Sequence, residues 1–203
     1  MASSPDDLSA VSKAMGLFRQ RRALSPICTP ASIGLSNQKR ETLEAVLEHL
    51  QKQAKTPLPE AGVALPKSSL LGGLAINKNA CTLCMSCVSG CPEGALLDNP
   101  DEPILSFIEK PCVQCGLCVQ TCPEKALTLA PRLQTIEQRK QKAVLNETQA
   151  FHCISCGKPF GTLKMVDLML TKLGAHGAFA GAAMDRLKMC SDCRVVDMVK
   201  KEI

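Results

Sequence analysis

Cysteine is the residue type whose number and spacing in this chain point to chemistry. Four cysteines and a proline occur at Cys81, Cys84, Cys87, Cys91 and Pro92. The same pattern recurs at a constant offset, at Cys112, Cys115, Cys118, Cys122 and Pro123. The residues that follow also agree, since Glu93-Gly94-Ala95-Leu96 is matched by Glu124-Lys125-Ala126-Leu127. The segment is therefore an internal repeat.

The spacing within each copy fits the ligand geometry of an iron–sulfur cubane. A 4Fe-4S cluster binds four thiolates, and the run C-x2-C-x2-C-x3-C-P is typical of bacterial proteins that hold such clusters. Two-residue gaps let one short loop offer three sulfurs, whereas the sulfur after the three-residue gap points away and ligates the other cluster. The predicted ligand sets are therefore crossed. Cys81, Cys84, Cys87 and Cys122 hold the first cluster, and Cys112, Cys115, Cys118 and Cys91 hold the second.

Three other interpretations of these eight cysteines stay open, namely disulfides, two zinc sites and unliganded buried thiols. Zinc sites rarely use cysteine triplets of this spacing. The chain has 13 Cys among 203 residues, and we recognise no secretory signal in it. Such a count favours metal sites in a reducing compartment over a disulfide framework, so we expect a cytoplasmic protein.

Over roughly residues 75–131, these cysteines and prolines resemble those of the bacterial two-cluster ferredoxins. The resemblance implies a ferredoxin-like βαββαβ fold, of the α+β class, and a role in electron transfer. The strands are expected at residues 74–76, 95–97, 104–108 and 126–129. A short helix is expected between the third and fourth cysteine of each copy, ended by the proline that follows. Eight apolar residues are expected to shield the clusters: Ile76, Leu83, Val88, Leu96, Ile108, Leu117, Val119 and Leu127.

A third group of cysteines lies near the end of the chain, in two CxxC pairs. Cys153 and Cys156 form the first pair, Cys190 and Cys193 form the second, and residues 157–189 separate them. Four thiolates suit a tetrahedral zinc ion, and a CxxC turn leaves backbone amides free to donate to the sulfurs. We expect structural zinc here, although the long helical spacer departs from an ordinary zinc ribbon. A third iron–sulfur cluster, a rubredoxin-like iron and metal-free thiols are the alternatives.

The sequence around the cysteines predicts four regions. Residues 1–72 should hold N-terminal helices and a Pro/Gly-rich linker, residues 73–131 the two-cluster domain, residues 132–149 a polar connector, and residues 150–203 a helical domain with a four-cysteine metal site. The clearest helical pattern covers residues 36–55, and another helix is predicted within residues 1–24. Cys28 has no cysteine or histidine at ligand spacing, so a structural or solvent-facing thiol is expected there.

Charge and composition argue against several classes of function. The formal charge of +5 counts every thiol as neutral; with metal-bound thiolates the chain would be close to neutral, which disfavours a nucleic-acid partner. There is no Trp or Tyr to stack on bases. We also find no Walker loop, GxGxxG motif or Ser/His/Asp motif. We therefore expect no enzyme, no small-molecule substrate and no membrane span.

The expected function is the relay of single electrons through two 4Fe-4S clusters, as a carrier or as the small subunit of an oxidoreductase. The tail, residues 151–161 and 189–194, resembles that of proteobacterial iron–sulfur proteins associated with formate dehydrogenase and related molybdoenzymes. This resemblance implies a redox partner of that kind. The alternative is a redox-sensing or maturation module that uses the clusters and the C-terminal metal site.

Overall fold

The computed structural model describes residues 9, 12–13, 29–34, 37–179 and 181–200, which form a mixture of helices and short strands. The mixed α+β class is thereby confirmed. The predicted N-terminal helix lies almost wholly outside the described residues, and Cys28 lies outside them too. Among the described residues, no helix combines the length and the apolar character needed to cross a bilayer.

The chain separates into two compact units, residues 1–55 and residues 56–203. Helix α1 (Lys39–Gln53) belongs to the first unit and confirms the helix predicted over residues 36–55. Ion pairs one turn apart link Arg40 to Glu44 at 3.4 Å and Lys52 to Glu48 at 2.8 Å. Each such pair stabilises a helix by about 0.3–0.5 kcal/mol.

The second unit begins with elements arranged around the repeat. In chain order they are β1 (Val63–Ala64), β2 (Gly72–Ile76), α2 (Ser86–Ser89), β3 (Leu96–Leu97), β4 (Ile104–Ile108), α3 (Leu117–Thr121) and β5 (Leu127–Leu133). Strand β5 lies between β1 and β2 and is antiparallel to both. Strands β3 and β4 form an antiparallel hairpin, with Leu96 opposite Phe107. The four strands and the two short helices predicted from the sequence are all present.

Strand pairing joins two of the predicted regions to the cluster domain. The supposed linker contains β1, in which Val63 lies opposite Leu133 of β5. The supposed connector contains α4 (Ile136–Lys140) and β6 (Lys142–Glu147), and β6 pairs antiparallel with β4. Thr135 starts α4 with a capping box closed by Gln138. Polar composition was misleading here, because most side chains of β6 face solvent.

The repeat is visible in the backbone as well as in the sequence. Left-handed residues recur at matching positions: Leu83 (φ 58°) and Gln114 (φ 55°), Met85 (φ 60°) and Gly116 (φ 79°), Gly94 (φ 61°) and Lys125 (φ 49°). Such conformations are uncommon for residues other than glycine, so their recurrence shows that both cysteine loops adopt one shape. The two copies meet where Gly90 abuts Thr121, since a Cβ on Gly90 would lie 2.9 Å from Thr121 Oγ1.

The core of this region surrounds the cysteines. Its buried members are Leu83, Cys87, Ala95, Leu96, Leu105, Phe107, Cys112, Cys118 and Leu127. Of the residues expected to shield the clusters, Leu83, Leu96 and Leu127 are buried, and four others are partly buried. Leu117 is the exception, because it lies on the outer side of α3 and is 44% exposed.

The C-terminal part packs a hairpin against helices. Its elements are β7 (Ala150–His152), β8 (Pro159–Thr162), α5 (Leu163–Leu173), a 3-10 turn (Gly177–Phe179), α6 (Ala182–Arg186) and α7 (Ser191–Lys200). Strands β7 and β8 are antiparallel, and the rings of Phe151 and Phe160 meet edge to face at 5.8 Å. Val166 of α5 is completely buried, so this helix presents its apolar side to the hairpin.

Candidate metal centres

The first candidate centre is a small cavity lined by Cys81, Cys84, Cys87 and Cys122. Cys81 and Cys84 lie on the loop that leads into α2, and Cys87 lies within α2. Cys122 follows the last residue of α3. Leu83, Leu105 and Leu127 complete the lining with buried apolar side chains. The cavity thus joins the triplet of the first copy to the fourth cysteine of the second copy.

The second candidate centre is a small cavity lined by Cys91, Cys112, Cys115 and Cys118. Here Cys91 comes from the first copy. Cys112 and Cys115 lie on the loop before α3, and Cys118 lies within α3. Leu96 and Phe107 line its apolar side. The structure therefore places the eight cysteines in the two groups that the crossed scheme predicts. Their ligation of iron remains a prediction.

The electrostatics of each quartet favour a cationic occupant. Burial, together with Cys81 and Cys122 nearby, raises the pKa of Cys87 to about 12. Burial raises the pKa of Cys118 to about 11, with Cys112 and Cys91 adding to the effect. Thiols that disfavour one another's ionisation can all be thiolates only when positive charge lies among them. The iron ions of a cluster supply that charge, so the donor sets fit the group.

Backbone amides point at the fourth cysteine of each copy. The Ala95 amide donates to Cys91 Sγ at 3.3 Å, and the Ala126 amide donates to Cys122 Sγ at 3.3 Å. These contacts occupy equivalent positions in the two copies and so belong to the repeat. Hydrogen bonds to cluster sulfurs stabilise the thiolate and help to set the reduction potential of the centre.

One polar contact at the second centre was missed by sequence reasoning. The Gln114 side-chain amide donates to Cys112 Sγ at 3.3 Å and to the Gly73 carbonyl at 2.9 Å. The matching position in the first copy is Leu83. The available signal was a difference between the two copies, since the leucine of the first copy is replaced by glutamine in the second.

The C-terminal cysteines form a tighter group, which we call the tetracysteine site. The sulfurs of Cys153, Cys156, Cys190 and Cys193 all lie within 4.8 Å of one another. The first two lie in the turn between β7 and β8, and the last two at the start of α7. The Cys190 amide donates to Cys153 Sγ at 3.3 Å. The structure thus brings together, in one metal-binding site, the four residues that the two CxxC pairs predicted.

The size of this group suits a single metal ion. Tetrahedral zinc with bonds of about 2.3 Å places its ligand sulfurs about 3.8 Å apart, and the Cys156 and Cys190 sulfurs are 3.8 Å apart. Thiolates that radiate from the four irons of a cubane lie further apart than that. Among the residues that the structure describes, no other group of three or more His, Cys, Asp or Glu brings its ligand atoms within 4.8 Å.

The amides around the tetracysteine site also favour a thiolate. Burial raises the pKa of Cys153, but hydrogen bonds from the amides of Cys190, Cys156 and Ser155 outweigh burial and lower it to about 6. These amides therefore favour the thiolate form of Cys153, which is the form that binds a metal.

The C-terminal hairpin is attached to the loop of the first centre. Thr162 Oγ1 donates to the Thr82 carbonyl at 2.7 Å, and both residues are buried. Lys164 Nζ donates to the Lys78 carbonyl at 2.7 Å. Thr82 lies between two of the cysteines that line the first cavity. The hairpin that carries the tetracysteine site therefore supports the outer side of that loop.

Comparison with known families agrees with this geometry. Residues 74–123 match a family model described as a 4Fe-4S dicluster domain, and residues 111–158 match a second model with the same description. The first match includes all eight cysteines of the repeat, and the second extends to Cys153 and Cys156. No curated protein matches the chain. The chain contains a two-cluster ferredoxin-type domain.

Proposed function

We propose that this chain, built around a two-cluster ferredoxin-type domain, relays single electrons through two 4Fe-4S clusters. The observation that supports the proposal most strongly is the pair of cavities inside one apolar core, each lined by four cysteines drawn from both copies of the repeat. When bound, each cluster would accept and release one electron without forming or breaking bonds to a substrate.

The contribution of the protein is to hold the clusters and to control their surroundings. The cysteines supply the ligands, the amides of Ala95 and Ala126 donate to ligand sulfurs, and Leu96 and Leu127 exclude water. A cluster with a cysteine on every iron has no open position for a substrate. We therefore propose an electron carrier rather than an enzyme. The order of strands and helices over residues 72–133 and their antiparallel pairing support a ferredoxin-like βαββαβ topology.

The tetracysteine site is proposed to hold structural zinc. The separation of its sulfurs supports one tetrahedral ion over a third cluster. Zinc would join the turn between β7 and β8 to the start of α7, two segments that are far apart in the sequence. It would thereby fix the hairpin that supports the loop of the first centre.

The proposed setting is the reducing cytoplasm, where the chain exchanges electrons with a fixed redox partner. Holding two clusters requires only the central domain, whereas this chain adds residues on both sides of it. The resemblance of the tail to proteins associated with formate dehydrogenase makes a formate dehydrogenase or another molybdoenzyme the proposed partner, with this chain as a carrier or a small subunit.

Metal and sulfide analysis of protein purified without oxygen tests the cofactor content. We expect about eight iron, eight sulfide and one zinc per chain, with a paramagnetic signal after reduction by dithionite. About twelve iron would place a third cluster in the tail. A colourless, iron-free protein would refute the proposed function. A Cys190→Ser variant, which should lose zinc but keep its iron, serves as the matched control.

Electron relay itself requires a kinetic test. The reduced protein should recover its iron–sulfur absorbance on mixing with a one-electron acceptor, as the clusters are reoxidised. Release of iron and sulfide to an apo-protein acceptor, in place of electron transfer, would favour the maturation alternative.

A further inference from the structure

Helix α7 turns its polar side towards the rest of the C-terminal part. Arg186 Nε donates to Asp197 Oδ2 of this helix at 2.7 Å. Arg194 of the helix donates to the Arg186 carbonyl at 3.0 Å and to the Met189 carbonyl at 3.2 Å. Cys193 belongs to the tetracysteine site. The inner side of α7 is therefore held by polar contacts and by a metal-site residue.

The outer side of α7 is apolar and exposed. Val195, Val196, Met198 and Val199 cover about 160° of the helix circumference, at about 100° per residue. Each of these four side chains is between 47% and 60% exposed, and we call them the outer stripe. An amphipathic helix ordinarily turns its apolar stripe to the core. A stripe that faces outward instead marks an interaction surface.

A groove follows one edge of the outer stripe. Val196 lines it, together with Met189 and Ser155. Asp192 and Lys200 also line it, and each lies four residues from Val196, so the three form one ridge along the helix. The two charges are roughly 12 Å apart along the helix axis. The ridge therefore has an apolar centre, an acidic end and a basic end.

This charge pattern is complementary to itself. When two antiparallel α7 helices are related by a two-fold axis at Val196, Asp192 of each chain lies beside the partner's Lys200. Two ion pairs then flank the contact between the two valines. Within the described part of the chain, neither Asp192 nor Lys200 forms an ion pair. A second molecule of the same chain thus supplies both an apolar stripe and both opposite charges.

We infer that α7 forms the interface of a two-fold symmetric dimer of this chain, through the outer stripe and two Asp192–Lys200 ion pairs. The interface would also close the groove beside Cys193, which is half-buried in the single chain. Two helices of this length bury less than the roughly 800 Å² per partner that is typical of a stable complex. The dimer should therefore be weak, with a dissociation constant on the order of micromolar.

Sedimentation velocity of the intact chain, purified without oxygen, tests the inference over a range of concentrations around this value. The unmodified protein should pass from monomer to dimer as its concentration rises. Val196→Asp should stay monomeric throughout, because it places two like charges at the apolar centre of the interface. Val144→Asp makes the same chemical change at an exposed position of β6 and should associate as the unmodified protein does.

Exchange of the charges distinguishes a second molecule of this chain from any other partner. Asp192→Lys or Lys200→Asp alone replaces both attractions by repulsions, so each should raise the dissociation constant about tenfold. An equimolar mixture of the two variants should regain the affinity of the unmodified protein. In that mixed dimer, each lysine again lies beside an aspartate.

Several results would overturn the inference. They are a monomer at every concentration, a dimer that survives Val196→Asp, and a mixture that associates no better than its two components. Protection of α7 from hydrogen exchange in a monomer would show that another part of the chain covers the outer stripe, which also contradicts the inference. Each variant should keep the metal content of the unmodified protein. If Val196→Asp loses metal, Val199→Asp replaces it, since residue 199 is further from Cys193 along the helix.

Discussion

Replacing Cys91 by alanine separates the crossed ligand scheme from a scheme in which each copy binds its own cluster. Cys91 belongs to the first copy of the repeat but lines the second cavity, together with the triplet of the second copy. The crossed scheme therefore predicts that Cys91→Ala damages the second centre and spares the first. A scheme without crossing predicts the reverse.

The size of the effect follows from the ligand count. Each centre has four cysteines, so one substitution removes a quarter of the ligands of one centre and none of the other. Burial already raises the pKa of Cys112, and raises that of Cys118 to about 11. These thiols would therefore be protonated in an empty cavity, which disfavours rebinding of iron. We expect iron to fall from about eight towards about four per chain.

Differential alkylation read by mass spectrometry identifies which centre is lost. In the Cys91→Ala protein, the exposed thiol of the second triplet, Cys115, should become reactive. The first quartet should stay protected. The matched variant Cys122→Ala should give the mirror pattern, in which the exposed thiol of the first triplet, Cys84, becomes reactive. If Cys91→Ala instead exposes the triplet of its own copy, the crossed scheme is wrong.

Three further changes test contacts outside the two quartets. Thr162→Val removes both a buried hydrogen bond to the Thr82 carbonyl and the N-cap of α5. Hydrogen exchange should therefore show that residues 159–173 open at a free-energy cost lower by about 2 kcal/mol. Thr162→Ser keeps both contacts, and an equal effect in that variant would contradict the interpretation. Gly72→Ala would place a Cβ 2.7 Å from the Ala130 carbonyl oxygen and from Pro131 Cα, so the thermal unfolding midpoint of this variant should fall. A Cβ on Gly177 would meet nothing within 4 Å, so the midpoint of the control Gly177→Ala should not fall. Equal midpoints in the two variants would argue against the clash. Cys190→Ser should release zinc and raise amide hydrogen exchange in β7, β8 and α7, while the iron–sulfur absorbance remains. Partial loss of that absorbance would show that the tetracysteine site holds iron.

Features fixed by local sequence could be predicted. The cysteine spacing determines the shape of each loop, and the repeat doubles the information, since the same left-handed positions recur at Leu83 and Gln114. Strand β2 and the β3–β4 hairpin carry enough apolar residues to be recognised. The CxxC pairs similarly predicted the tetracysteine site, although residues 157–189 separate them.

Features that depend on distant partners could not be predicted. Strand β1 is two residues long and exposed, and it exists because Val63 pairs with Leu133, far along the chain. Strand β6 is polar on most of its surface and is recognisable only from its pairing with β4. Gln114 donates to the Gly73 carbonyl, which only the folded sheet brings close to it. Short, exposed strands and side-chain contacts across the sheet leave little trace in local composition.

The two copies agree where they hold the proposed clusters and differ where other residues touch the cluster loops. Identical halves would give two equivalent centres, and an electron would have no preferred position between them. In this chain the loop of the first centre contacts Thr162 and Lys164 of the C-terminal part, whereas the second centre has Gln114 and, behind it, the ion pair of Glu109 and Arg132. The repeat therefore explains how two clusters can be bound, but any direction of electron flow must come from the residues at which its copies diverge.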